Sequence, residues 1–245
     1  VILIDETKAK VAAVIPAAGS GRRMQAECNK VWLELNGVSI LEHTLKVFQA
    51  ATVIDRIVLV INPAEFERFA IFLRDQAGSW RCPVDLVLGG AARQDSVANG
   101  LKFLKQQSGW GQNRDLVVVH DAARALLTEA LLTAAIEMAV EYRAVGVGTP
   151  VKDTIKQVNR DGLVVATLKR DLLWAVQTPQ VFDFALLDEC YRKAATLDSK
   201  FTDDCGVVEC FGYPVKLMCG SYENLKLTTP EDLILAETIL RRRDA

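Results

Sequence analysis

Apolar residues along the chain fall into two kinds of run, and the two alternate. Val11 to Ile15, Ile57 to Ile61, Val84 to Leu88, Leu116 to Val119 and Val145 to Val147 are short, continuous and mostly β-branched. That is the pattern of strands buried on both faces. Between them, Ile40, Leu41, Leu45 and Phe48 stand at helical spacing, and Glu65 to Leu73, Ser96 to Leu104 and Glu129 to Tyr142 read as helices. Such alternation predicts an α/β fold, a mostly parallel sheet with helices on both faces and right-handed crossovers. The rhythm breaks after Pro150. Two β-like runs within 154–168 flank Asn159-Arg160-Asp161-Gly162, and Asp-Gly between such runs signals a hairpin. This predicts a β-arm, about 151–169, projecting from the core. The rhythm resumes with a helix near Ala185 to Ala194, a strand near Val215 to Met218 and a last helix from Pro230 to Arg241. Thr229 suits the cap of that helix, Pro230 its first turn and Asp232 a capping box. With no internal repeat or linker, residues 1–245 are expected to form a single domain with an arm.

Composition narrows the function more than the fold. A formal net charge of −2 argues against a broad nucleic-acid footprint, which needs a basic face. No segment approaches the ~20 apolar residues of a membrane span. Val1 to Lys10 does not resemble a signal peptide. The expected location is a bacterial cytosol, or a plastid stroma if a targeting segment has been removed. Cys28, Cys82, Cys190, Cys205, Cys210 and Cys219 include no C-x-x-C pair, and the histidines are His43 and His120. The cysteines are therefore expected to be reduced, mostly buried apolar residues rather than zinc ligands.

The candidate chemistry lies where strand patterns end. After the first comes Pro16-Ala17-Ala18-Gly19-Ser20-Gly21-Arg22-Arg23-Met24, and then Lys30. Small residues let the backbone wrap phosphates, and the basic side chains add charge. Met24 stands where a dinucleotide fingerprint has its third Gly, and the Gly-Lys-Ser/Thr of a P-loop is absent. His120-Asp121-Ala122-Ala123-Arg124 follows another strand, placing Asp121 where open α/β sheets bind ligands. Asp121 could hold Mg2+, orient a ribose or a lysine, or cap a helix. Gly89-Gly90 with Arg93, Asp95 and Ser96 could face a base or ribose, or form a plain loop with Asp95 as a cap. Thr154, Arg170, Thr178, Thr202 and Lys226 have the chemistry to hold a phosphate monoester bearing hydroxyls.

Five of these stretches occur in a telling order: Ala17 to Met24, His120 to Arg124, Pro150-Val151-Lys152-Asp153-Thr154, Gln177-Thr178-Pro179-Gln180 and Thr202-Asp203-Asp204. Together they resemble the 2-C-methyl-D-erythritol 4-phosphate cytidylyltransferase family, from about Val11 to the C-terminal helix. The resemblance implies a Rossmann-like nucleotidyltransferase core, Mg2+ as cofactor, and a homodimer whose β-arms interlock. It implies that CTP and a polyol phosphate react to release pyrophosphate. It assigns Gly19, Ser20 and Gly21 to wrapping the triphosphate, and Arg23, Lys30 and Lys226 to catalysis. Ala17, Ala18, Gly89 and Ser96 fall at cytosine positions, and Asp121 and Ala122 on the nucleotide side. Arg124, Thr154, Arg170, Thr178 and Thr202 fall on the polyol phosphate side, with Thr154 and Arg170 reaching the partner's site. A ribitol 5-phosphate cytidylyltransferase or a catalytically idle CTP-binding regulator are the alternative readings. Three positions depart from the family pattern: Asn29 and Ala125, where Pro is usual, and Cys205-Gly206, where Ala-Ser is common. Asn29 is expected to loosen the approach to Lys30.

Overall fold

The computed structural model describes residues 9–19, 29–111 and 114–243. In chain order the strands are β1 (Val11–Pro16), β2 (Glu34–Leu35), β3 (Val38–Ser39), β4 (Arg56–Ile61), β5 (Val84–Leu88), β6 (Leu116–Val119), β7 (Ala144–Pro150), β8 (Lys156–Val158), β9 (Val164–Thr167), β10 (Trp174–Asp183) and β11 (Lys216–Cys219). The helices are α1 (Ile40–Ala50), α2 (Phe66–Asp75), α3 (Arg93–Gln106), α4 (Glu129–Tyr142), α5 (Phe184–Ala194), α6 (Asp204–Cys210) and α7 (Pro230–Arg243).

One seven-stranded sheet runs in the order β11-β7-β10-β6-β1-β4-β5. Alternate residues of β1 point to opposite faces and meet different partners. Ala13 and Ile15 join a core with Leu41 and Phe48 of α1, Phe69 of α2 and Leu132 of α4. Ala12 and Val14 join another with Val97 and Leu101 of α3, Leu187 of α5 and Val208 of α6. Burial on both faces explains why these strands read as unbroken apolar runs. At the last helix, Asp232 accepts from the backbone N–H groups of Thr228 and Thr229 at 2.7 and 2.8 Å, the expected acidic half of a capping box.

The sheet is parallel except at β10, which pairs antiparallel with both β6 and β7. Sequence reading had no strand here. Gln177, Pro179 and Gln180 interrupt its apolar pattern, and Pro is disfavoured inside a sheet. A register shift between Gln177 and Gln180 takes up the irregularity. The side chain of Gln180 then binds the start of α6, which sequence reading also missed. Its Oε1 accepts from the N–H groups of Asp204 and Cys205, both at 3.0 Å.

The hairpin falls where expected. β8 and β9 pair antiparallel as a two-stranded sheet separate from the seven. Leu163, Val164 and Val165 are exposed upon it.

Candidate active site

The sheet changes its winding direction at β1, which has β4 on one side and β6 on the other. Ligands of doubly wound sheets sit at the carboxyl ends of strands at such a point. A cavity of about 430 Å3 opens there, lined by Ala17, Ala18 and Gly19 after β1, Asn62 after β4, Gly90 after β5, and Asp121 and Ala122 after β6. Lys30, Ser96 and Lys226 complete its wall. A second cavity of about 260 Å3 is lined by Arg124, Gln177, Thr178, Thr202 and Asp203. Arg93, Asp121 and Lys226 line both. The two spaces therefore meet at a carboxylate held between two cations.

Asp121 Oδ1 accepts from Arg93 Nε at 2.9 Å, and Asp121 Oδ2 faces Lys226 Nζ at 2.6 Å. Arg93 spans further, giving Nη2 to Oδ2 of the fully buried Asp204 at 2.8 Å. Tyr191 donates its hydroxyl to the other oxygen of Asp204 at 2.5 Å. Lys30 Nζ reaches the carbonyl of Leu227 at 2.8 Å, across 197 positions of sequence. The Leu227 N–H in turn donates to the Ala123 carbonyl at 2.9 Å. The segments bearing Lys30, Lys226 and Asp121 are thus tied to one another.

This arrangement has relatives. The model of the 2-C-methyl-D-erythritol 4-phosphate cytidylyltransferase family matches residues 11–242. The chain belongs to that family. A cytidylyltransferase of this name from Pelotomaculum thermopropionicum is 43% identical over 96% of this chain and 95% of its own. One from Alkaliphilus oremlandii is 41% identical over 97% and 98% respectively. The solved 4-diphosphocytidyl-2C-methyl-D-erythritol synthase of Anaerococcus prevotii superposes with a TM-score of 0.81 at 34% identity, covering 96% of this chain and 99% of that one. No helix among the described residues is long and apolar enough to cross a membrane.

Within this cytidylyltransferase fold, the expected site residues divide into several groups. Ala17, Ala18, Gly19, Lys30, Ser96, Asp121, Ala122 and Lys226 share the first cavity, and Arg124, Thr178 and Thr202 share the second. Ser20, Gly21 and Arg23 lie outside the described residues. Gly89 was expected at the cavity, but Gly90 lines it instead. Gly89 serves close packing: a Cβ there would stand 2.9 Å from both Ala18 Cβ and Ser96 Oγ, closer than such atoms approach. Ser96 shapes the same loop, accepting from the Gly90 N–H at 3.2 Å and donating to the Ala92 carbonyl at 3.1 Å. Asp95 is not the cap residue. The helix begins earlier, at Arg93, and Asp95 accepts from the N–H of Ala92 at 2.9 Å from within the first turn. Thr154 and Arg170 are exposed and are not among the residues lining either cavity. Arg170 donates to the Lys152 carbonyl at 2.9 Å. In the sequence, Arg93 stands out only by its place after Gly89-Gly90. Its two carboxylate partners are 28 and 111 positions away, so no local spacing announces them. Asn29 does not loosen the chain at its own position, since its side chain is bonded on both ends.

The charges at the junction are held in place by one another. Burial disfavours the charged form of Asp121, but Arg93 and Lys226 outweigh it and hold its pKa well below the carboxylate range. Burial likewise opposes the charge on Arg93, and Asp204 and Asp121 overcome it and raise its pKa. Arg124 forms no ion pair with a carboxylate among the described residues. Burial, with Arg93 nearby, pulls its pKa down against the attraction of Asp121. Its Nη1 donates to the Asn224 carbonyl at 2.7 Å, while its buried Nε has no partner among the described residues.

His120 is the neutral support beneath this cluster. Thr178 Oγ1 accepts from the Asp121 N–H at 3.1 Å, so its own proton goes to His120 Nδ1 at 3.1 Å. The other ring nitrogen then carries the hydrogen and donates to the Arg124 carbonyl at 3.3 Å. Protonating Nδ1 would cost that bond. Burial, reinforced by the charges of Arg124 and Arg93 against the pull of Asp121, lowers the pKa of His120 to about 3. An unfolded histidine takes its proton near pH ~6.5. This stabilising contribution is therefore full above that pH and is lost progressively as pH falls toward 3. Asp121, also depressed, acts with the same sign below the ordinary carboxylate pKa. Between pH 7.5 and 5, the chain is expected to lose about 2 kcal/mol more stability than a His120→Asn variant. Urea unfolding at both pH values measures the difference, and equal losses would remove His120 as the cause.

Proposed function

We propose that the chain transfers the cytidylyl group of CTP to 2-C-methyl-D-erythritol 4-phosphate, forming 4-diphosphocytidyl-2-C-methyl-D-erythritol and pyrophosphate. The observation that carries this reading is the pair of cavities meeting at Arg93, Asp121 and Lys226. The larger space takes the nucleotide, with Gly19 along the triphosphate and Ala17, Ala18, Gly90 and Ser96 toward the base. The smaller takes the polyol phosphate among Arg124, Thr178 and Thr202. An oxygen of the acceptor phosphate attacks the α-phosphorus of CTP, and the bond to the β-phosphate oxygen breaks as pyrophosphate departs. No general base is required, because a phosphate monoester with a second pKa near ~6 is largely dianionic at neutral pH.

The difficulty is electrostatic, since two anions must meet. Lys30 and Lys226 neutralise charge that builds at the α-phosphate, a role that the family resemblance also gives to Arg23, which lies outside the described residues. Asp121 holds Lys226 in position and Arg124 draws in the acceptor. No three His, Cys, Asp or Glu side chains cluster as a metal cage among the described residues. The donor set suits Mg2+ held by one carboxylate and completed by phosphate oxygens and water. Both oxygens of Asp121 face cations, so it would hold the ion in place of one of them, and the ion would neutralise triphosphate charge. A bacterial cytosol, where CTP is present, is the setting that this chemistry fits.

The same reading makes the chain a homodimer whose arms cross. Leu163, Val164, Val165 and Leu172 are exposed apolar residues on or beside the arm, and a partner's surface would cover them. Thr154 and Arg170 would then serve the second cavity of the partner. Replacing Arg170 by alanine is expected to raise KM for the polyol phosphate by more than about tenfold, as loss of a charged hydrogen bond does. KM for CTP is expected to change little. Steady-state kinetics with each substrate varied would show the asymmetry, and equal effects would oppose the assignment.

The overall reading is tested by pyrophosphate release with Mg2+, comparing CTP with ATP, GTP and UTP against methylerythritol 4-phosphate and ribitol 5-phosphate. Release with CTP and methylerythritol 4-phosphate alone is expected. Folded protein that binds CTP and releases nothing with either acceptor would overturn the proposal.

A further inference from the structure

The turn that carries Lys30 is held by a carboxylate outside the two cavities. Asn29, Lys30, Val31 and Trp32 form a single 3-10 turn, with Asn29 as its cap. Asn29 is buried, and its amide is fully directional. Oδ1 accepts from the Val31 N–H at 3.3 Å, while Nδ2 donates to the Ala17 carbonyl at 2.9 Å and to Glu65 Oε2 at 2.8 Å. Flipping that amide would set its oxygen against two acceptors. Glu65 uses its other oxygen, Oε1, to accept from Trp32 Nε1 at 3.1 Å. Trp32 is fixed further by Phe69, whose ring lies 4.6 Å away, and by Arg68, stacked 4.4 Å above it. One carboxylate therefore grips both ends of the turn, and through Asn29 it also grips the exit of β1.

We propose that Glu65 is a positioning residue for Lys30: by accepting from Asn29 and Trp32 on separate oxygens, it fixes the turn from which the Lys30 side chain reaches the site. The inference rests on the catalytic reading of Lys30. Glu65 lines neither cavity, so its effect falls on the placement of a charge rather than on nucleotide binding. Small misplacements of a catalytic group are costly, by up to ~100-fold for 1 Å.

The test uses the difference between a carboxylate and an amide. A Glu65→Gln side chain puts an NH2 donor where one of the two carboxylate oxygens stood, so in the same pose it sets donor against donor at Asn29 or Trp32. Asn29 has φ −58° and ψ 127°, and a proline ring imposes that φ covalently. In an Asn29→Pro background the donor is gone, and Gln at 65 still serves Trp32. Glu65→Gln alone is expected to lower kcat about tenfold, with KM for CTP within about twofold. In the Asn29→Pro background the same change is expected to lower kcat by less than about twofold relative to that background. Amide hydrogen exchange over residues 30–33 supplies a readout apart from activity. It should quicken about tenfold in Glu65→Gln, as loss of one charge-assisted bond predicts, and should not quicken in the double variant relative to Asn29→Pro. Unchanged kcat in Glu65→Gln, or an equal loss in both backgrounds, would overturn the proposal. An inactive wild type would fell the reading of the site, while unchanged exchange in Glu65→Gln would fell the clamp.

Discussion

Lys30→Ala is expected to lower turnover by at least ~100-fold, the usual cost of removing a preorganised charge stabiliser. The geometry gives the reason. Lys30 lines the nucleotide cavity, and its ammonium is anchored to the Leu227 carbonyl at 2.8 Å, next to the Lys226 that faces Asp121. Two cations are thus set in one framework where, on the proposed mechanism, negative charge would accumulate, so that no reorganisation would be needed as the reaction proceeds. Alanine removes one of them and leaves the fold around it bonded, because Asn29 and Trp32 remain tied to Glu65. The loss should appear in kcat under saturating CTP. Near-normal turnover from a folded Lys30→Ala protein would remove Lys30 from the mechanism.

Arg93→Met is expected to be the most damaging change to the site's structure. Arg93 is shared by Asp121 and Asp204, and the side chain of Asp204 has no exposed surface. Taking away one partner of a buried ion pair costs about 3–5 kcal/mol, because a charge stays buried without compensation. Urea unfolding at neutral pH measures that loss. Adding Asp204→Asn to Arg93→Met removes the stranded charge and should recover part of it. Turnover should not recover, since Asp121 would still lack the bond at Oδ1 that helps to aim it toward Lys226. A midpoint equal to that of the wild type would show that Tyr191 and the Gln180-bound backbone suffice to hold Asp204.

Much of this was legible in the chain before any coordinates. Runs such as Ile57 to Ile61 announce strands buried on both faces, since each residue must be apolar whichever side it faces. Helical spacing at Ile40, Leu41, Leu45 and Phe48 announces α1 in the same way. Asp161-Gly162 marks the arm because a tight turn needs such residues. Asp121 at a strand end, and the small residues Ala17 to Gly19, point to a ligand site because backbone approach and strand ends have few other uses in this order. These are local facts, set by the period of the backbone and the conformations each residue allows.

The long-range features had no such trace. β10 inserts antiparallel between β6 and β7, although Gln177, Pro179 and Gln180 break its pattern. Burial of its apolar flank and the bonds of Gln180 to α6 outweigh that local discouragement. Arg93 meets Asp204 across 111 positions and Lys30 meets Leu227 across 197, contacts that depend on sheet register and loop return rather than on spacing. The exchange of Gly89 for Gly90 at the cavity wall turns on one residue of loop geometry. The residue pattern alone was therefore enough for most of the elements, β10 and α6 apart, and for the hairpin, the family and most of the residues that line the site. Only the tertiary structure decided that Asp121 is clamped by Arg93 and Lys226 at the meeting of two cavities, because charges distant in sequence interact only after folding has spent the entropy needed to bring them together.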